Sequence, residues 1–160
     1  MPSTGRFWIG KYCADGENIG PNVLQKVLTF ATATTGAIAS KELFTVTGEV
    51  LATIIPVCEG TDLTGATATI EFGVSTDTDL FVGTTTATDW DDGEFVLSTT
   101  PSSSIVATDA LPKWAYISDD DIGYEVKTAA IDTGVVRVYC LWWPISDDAL
   151  VEVAGVNVTL

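Results

Sequence analysis

The sequence predicts an all-β fold, an antiparallel β-sandwich preceded by an extended N-terminal arm. Three observations carry this. Apolar and polar residues alternate with period two over nearly all of the chain beyond about residue 24. Thr, Val and Ile are abundant, and their β-branched side chains pack well on a pleated surface. Clusters of Gly, Asp, Ser and Thr recur at short intervals, the spacing of a sandwich or barrel. No segment sustains a 3.6-residue period; only residues 22–27, Leu111 and the loop 128–132 leave room for a helical turn.

Residues 1–12 form the arm, and residues 13–160 a single domain with no dividing linker. The arm begins with small and polar residues and then carries Phe7, Trp8, Ile9, Lys11 and Tyr12. Aromatics so close to a terminus dock either on the body or on a neighbour. Leu24, Val27, Leu28 and Phe30 mark the first strand. Residues 42–58 hold the strongest alternation: Phe44, Val46, Val50, Ala52 and Ile54 against Thr45, Thr47, Glu49 and Thr53, with Gly48 read as a bulge. Pro56 points to an edge or a bend, since it cannot donate to a ladder. After a turn at residues 59–62, Ala66, Ala68, Ile70, Phe72 and Val74 share a face. Shorter strands are expected at 80–82, 94–97, 104–107 and 113–117, then longer ones at 122–127, 135–143 and 149–158. Val136, Val138, Cys140 and Trp142 share a face.

A chain of 160 residues buries roughly 70% of its unfolded surface as one domain, enough for a substantial core. The formal charge is −15, and between Lys41 and Lys113 there are twelve acidic residues and no basic one. Such a surface repels phosphate backbones and anionic lipid, which argues against nucleic-acid and membrane partners. It keeps the protein soluble more readily than it steers a basic partner. No apolar run approaches the ~20 residues that span a bilayer. The first residues lack the apolar core of a signal peptide, so synthesis in the cytosol is expected. The three cysteines, Cys13, Cys58 and Cys140, match no metal or redox spacing. Cys58 and Cys140 read as small, reduced, buried apolar residues.

The chain contains no His, which removes Ser-His-Asp and Cys-His catalysis and His-based metal sites together. Carboxylate chemistry is left. Asp132-Thr133-Gly134 matches the tripeptide that carries the catalytic Asp of aspartic proteases, where two such loops share a proton. One copy would require dimerisation, and Val135-Val136-Arg137 follow where that family has small residues. A turn with Gly134 in the left-handed region explains the tripeptide without catalysis. Asp89, Asp91, Asp92 and Glu94 lack EF-hand spacing, and Asp77-Thr78-Asp79 and Asp119-Asp120-Asp121 read as solvated turns rather than metal cages. No catalytic residue, metal ligand or cofactor is assigned. Among the five Trp, Trp90 and Trp114 could stack on sugar; Trp142 and Trp143 are adjacent on a strand and so face opposite ways. One of that pair belongs to the core and the other to a partner.

Three runs resemble capsid decoration, or cement, proteins of tailed phages. They are Gly36-Ala37-Ile38-Ala39-Ser40-Lys41-Glu42-Leu43-Phe44-Thr45-Val46-Thr47-Gly48-Glu49-Val50, then Gly65-Ala66-Thr67-Ala68-Thr69-Ile70-Glu71-Phe72-Gly73-Val74, then Ile131-Asp132-Thr133-Gly134-Val135-Val136-Arg137-Val138-Tyr139-Cys140-Leu141-Trp142-Trp143-Pro144-Ile145-Ser146. The resemblance covers about two-thirds of the chain and is one of short phrases. It implies a jelly-roll sandwich without enzymatic activity that sits on the exterior of the virion capsid. Such a protein binds the major capsid protein as a homotrimer or homodimer and stabilises the shell. The expected protein contacts are Phe7, Trp8, Tyr12, Trp142 and Trp143. Two other functions compete: a tail, baseplate or head-fibre module that binds a receptor or glycan, and an aspartic-type hydrolase acting through Asp132.

Overall fold

The computed structural model describes residues 20–103 and 111–155. They form eleven strands: β1 (Asn22–Thr29), β2 (Ala39–Thr47), β3 (Glu49–Cys58), β4 (Thr69–Val74), β5 (Asp77–Thr86), β6 (Phe95–Val96), β7 (Pro101–Ser102), β8 (Ala115–Ser118), β9 (Ile122–Lys127), β10 (Val135–Pro144) and β11 (Leu150–Val153). Sheet A runs β1-β10-β3-β6-β7, with β8 also pairing β3; sheet B runs β11-β2-β9-β4-β5. The pairing is nested. β1 pairs β10, β2 pairs β9, β3 pairs β8 and β4 pairs β5, all antiparallel. The chain is thus one long hairpin, doubled over and rolled so that β10 meets β3 and β9 meets β4. Two interlocked Greek keys of this kind make a jelly roll. β6 and β7 are an insertion between β5 and β8, and β11 extends sheet B beyond β2.

The strongest run of alternation turns a corner. β2 lies in sheet B and β3 in sheet A, and Gly48 between them has φ +69°. A side chain there would also meet the Ser146 hydroxyl and the Asp148 carboxylate at 2.6 and 2.7 Å. Gly48 is therefore the hinge of a sheet switch. The irregularity within β2 lies instead between Glu42 and Phe44, which buries Glu42, Leu43 and Phe44 in succession.

Pro56 is not on an edge, because it sits in interior strand β3 opposite Val138. The Cys58 amide donates to Glu94 on the flank away from β10, and alternation turns the Pro56 nitrogen to that same flank. β8 reaches only as far as Ala52 there, and β6 begins at Val57. The missing donor falls in the gap between them.

Other expectations shift slightly. Val27 points outward and is 46% exposed. Ala66 is exposed in the turn before β4. Residues 22–27 are strand and the loop 128–132 is irregular, while a 3-10 turn forms at Ala87–Asp89. The strand expected at 104–107 lies outside the described residues.

The inner faces meet in one apolar core. Trp90, Phe44, Phe72, Ile70, Ile122, Val136, Val138 and Cys140 are fully enclosed. Phe72 stacks on Trp90 with centroids 6.0 Å apart, and Phe30 meets Tyr124 edge-on at 5.9 Å. Such geometries follow the ring quadrupole. At the seam between β1 and the end of β11, the inward Lys26 ammonium donates to the carbonyls of Glu42 and Ala154, each at 3.1 Å. Burial lowers its pKa, and the Glu42 charge opposes that shift.

Candidate functional site

The two outer faces differ in kind. Residues opposite one another in a ladder share a face, so the register reads out both surfaces directly. The outer face of sheet A carries four rows. They are Trp143, Leu51 and Tyr116; then Val23, Leu141 and Thr53; then Gln25, Tyr139 and Ile55; then Val27, Arg137, Val57 and Phe95. The outer face of sheet B carries Ser40, Glu125 and Glu71 in one row and Lys127 and Thr69 in another. Sheet B follows the ordinary rule of apolar inside and polar outside, whereas sheet A is apolar on both sides, a pattern that goes with coverage on both sides.

Two rings crown the sheet A face. Trp114 and Trp143 stack with centroids 5.1 Å apart and 15° between their planes. Trp143 is on β10 and Trp114 immediately precedes β8, so β3 runs between them. Strands two places apart lie about 9.6 Å from each other, so the rings lean together above β3. That arch explains why outward-facing Thr53 is only 1% exposed. Tyr116 beside it is 59% exposed, and a hydrogen bond to Glu49 raises its phenol pKa. On the far side, the Arg137 guanidinium donates to Glu59 at 2.7 Å and to Gln25 at 3.1 Å. Its charge is satisfied within the face.

Trp142 is buried at 8% exposure, and Trp143 occupies the outer face half-buried. The opposite orientation of the pair is as the alternation requires. Phe7, Trp8 and Tyr12, like Cys13, lie outside the described residues. Leu51, Ile55, Tyr116 and Leu141 complete the face, and sequence reasoning did not single them out. For Leu141 the signal was present in Val135-Val136-Arg137-Val138-Tyr139-Cys140-Leu141-Trp142-Trp143, where only Arg137 interrupts an outward phase that is otherwise as apolar as the inward one. Trp90, one of the two rings considered for sugar stacking, is fully buried, and Trp114 turns one face to Trp143.

The residues considered for chemistry hold the fold together. The Asp132 carboxylate accepts from the Thr32 hydroxyl at 3.0 Å, and its amide donates to Thr64. Thr133 bridges Thr64, and Gly134 has φ +131° with Leu63 2.9 Å from where a Cβ would stand. The Asp119-Asp120-Asp121 turn clamps two other turns. Asp119 accepts from the Gly48 amide at 2.7 Å and Asp121 from Val46 at 2.8 Å, while Asp120 takes both hydroxyls of Ser75 and Thr76 at 2.5 Å. Burial works to raise the Asp120 pKa, but the Ser75 and Thr76 bonds outweigh it and hold it below its ordinary value. Burial raises that of Asp121. Asp62 and Asp92 accept from the amides of Asp92 and Gly60. Among the described residues no three acidic or Cys side chains gather as a metal site. Burial pushes the Cys140 thiol up to about 12, and burial with the Asp62 and Asp92 charges pushes Cys58 up to about 11, so both stay protonated and unreactive near neutral pH.

No family model and no curated protein matches the chain. Among solved structures, it is similar to a chain of one described as the acidic stable capsid structure of Helicobacter pylori bacteriophage KHP30. The TM-score is 0.41 at 15% identity, over 81% of this chain and 98% of that one.

Proposed function

We propose that this chain is a virion structural protein, a decoration protein that binds the exterior of a tailed-phage capsid through the sheet A side of its jelly roll and stabilises the shell. The observation that carries the reading is the aromatic and aliphatic outer face of sheet A, set against a polar outer face on sheet B. One side suits burial against protein and the other suits solvent. Aromatic anchors such as Trp143 and Tyr116 are the residue types that dominate protein interfaces. The runs that resemble phage decoration proteins supply the class of partner, the major capsid protein. Trp143 and the arm residues Phe7, Trp8 and Tyr12 are its proposed contacts, whereas Trp142 is buried in the core. Assembly as a trimer or dimer would multiply a weak contact through avidity.

Sedimentation of purified capsids with added protein tests this. The chain should co-migrate with shells and raise their resistance to heat, and Trp143→Asp should lose co-migration while remaining folded by circular dichroism, with a melting temperature lowered by the lost ring stack. Absence of co-migration by the unaltered chain would sink the proposal. A glycan-binding role in a tail or fibre is the second reading, favoured by the exposed flank of Trp114; binding on a glycan array without shell binding would select it.

A further inference from the structure

We infer that two copies of this chain join edge to edge through β1, pairing antiparallel about a two-fold axis at Gln25 so that sheet A runs on from one copy into the next. The ladder with β10 fixes which backbone groups are free. The Phe30 amide donates to Gly134 in the register of that ladder. The even-numbered residues of β1 therefore bond to β10, and the odd-numbered ones turn their N–H and C=O away. Among the described residues no hydrogen bond reaches the backbone of Val23, Gln25 or Val27. This free run is closed at both ends: Pro21 has no N–H, and the Thr29 carbonyl is taken by the Thr35 hydroxyl. The run is thus centred on Gln25. With Gln25 at the axis, Val23, Gln25 and Val27 face the partner's Val27, Gln25 and Val23, and every free group gains a bond. Any neighbouring two-fold register sets Pro21 or Thr29 opposite a free residue.

β1 is also the edge least protected against such pairing. Proteins blunt edge strands by shortness, Pro, bulges or charge. β7 has two residues and begins with Pro101, while β8 and β11 have four each. β5 shifts register twice against β4, carries Asp77 and Asp79, and has its Gly83 amide bonded to Ser98 at 2.8 Å. β1 runs for eight residues in unbroken register, with no Pro. Its one charge, Lys26, points inward, where the Glu42 and Ala154 carbonyls hold the ammonium clear of the pairing line. Two acidic bodies repel, but residues 18–41 contain none of the 22 acidic residues, so repulsion is weakest along this edge. Pairing sets Val23, 60% exposed, beside the partner's Val27, 46% exposed, an apolar cross-strand pair. The axis stands perpendicular to the sheet, so both outer faces of sheet A turn to the same side and the apolar face is doubled rather than covered.

The test uses the full chain in solution with no shells present, so its outcome is separate from that of the capsid reading. Cys58 and Cys140 are buried, and Cys13→Ser removes the third thiol. In that background Gln25→Cys should link to itself under mild oxidation, because a hydrogen-bonded pair holds its Cα atoms about 5.5 Å apart, within disulfide range. Val27→Cys should not, since its two copies lie four residues out of step, about 14 Å apart. It should instead link to Val23→Cys when those two variants are mixed. Sedimentation equilibrium of the unaltered chain should show a dimer. Gln25→Pro removes an N–H that the β10 ladder does not use, so it should keep its far-ultraviolet circular dichroism and weaken the dimer by roughly tenfold or more. A monomer or a trimer at every concentration, self-linking of Val27→Cys as fast as that of Gln25→Cys, or a dimer that folded Gln25→Pro leaves intact would each overturn the inference.

Discussion

Thr53 carries a cost that its surroundings make visible. Its hydroxyl is buried with no hydrogen-bond partner among the described residues, beneath rings that shield it from water. An unpaired buried hydroxyl costs roughly 1–3 kcal/mol, so Thr53→Val should stabilise the protein by about 1 kcal/mol, a rise of about 2–4 °C in melting temperature. Trp143→Ala opens the arch, and in that background the gain should vanish because water reaches the hydroxyl. A double-mutant cycle reads this coupling, and destabilisation by Thr53→Val alone would show that the hydroxyl has a partner. Glu71 is the opposite case. Its side chain is 2% exposed, but Lys127, Thr78 and Thr84 all donate to it. Burial alone would raise its pKa; those three donors outweigh it and hold the pKa below its ordinary value. A carboxylate depressed in the folded state stabilises above its unfolded pKa, and that contribution is lost as pH falls through the folded value. Asp120 acts in the same sense and Asp121, raised by burial, in the opposite one. Urea midpoints should be level above about pH 5 and fall below it. Glu71→Gln should cost about 2 kcal/mol near neutral pH and flatten the acid limb.

The jelly roll depends on corners as much as on strands. Gly48→Ala places a side chain at φ +69° against Ser146 and Asp148, and should cost about 1–2 kcal/mol through backbone strain and displaced contacts. A calorimetric melt checks it; an unchanged melting temperature would mean the corner tolerates a Cβ. Elements of this kind also divide what the sequence discloses from what it withholds. Residues 122–127 were readable end to end as β9, because one face is apolar and the other polar. The sheet switch at Gly48 was not, since inward residues stay inward on both sides of a corner and the alternation runs through it unbroken. β10 marked a strand but concealed its outer face, because outward Tyr139, Leu141 and Trp143 are as apolar as the inward residues and only Arg137 breaks the run. The Trp114–Trp143 stack needs β8 and β10 to flank the same strand, and strand order leaves no trace in periodicity. The acidic turn 119–121 looked like loose surface charge for a related reason: its partners at Gly48, Val46, Ser75 and Thr76 are distant in sequence and adjacent only once the roll has closed.

At the scale of the molecule, an apolar face and a strong negative charge act against one another. A formal charge of −15 keeps copies apart through mutual repulsion, while the outer face of sheet A favours their contact. The balance depends on pH, because the pI is about 4.1. As pH approaches that value the repulsion disappears and the apolar term is left. Light scattering of dilute protein should therefore stay at the monomer or small-oligomer level near neutral pH and rise sharply near pH 4. Acid-induced unfolding would produce a rise too, so the discriminating measurement is Trp143→Asp, which lowers the apolarity of the face without touching the core. That variant should remain dispersed at a pH where the unaltered chain associates, with near-ultraviolet circular dichroism showing both still folded. Equal association of the two would place the contact elsewhere on the surface. On the proposed capsid reading the charge would then have a role in assembly: small oligomers that repel one another in solution would remain available to a shell that offers a matching apolar patch.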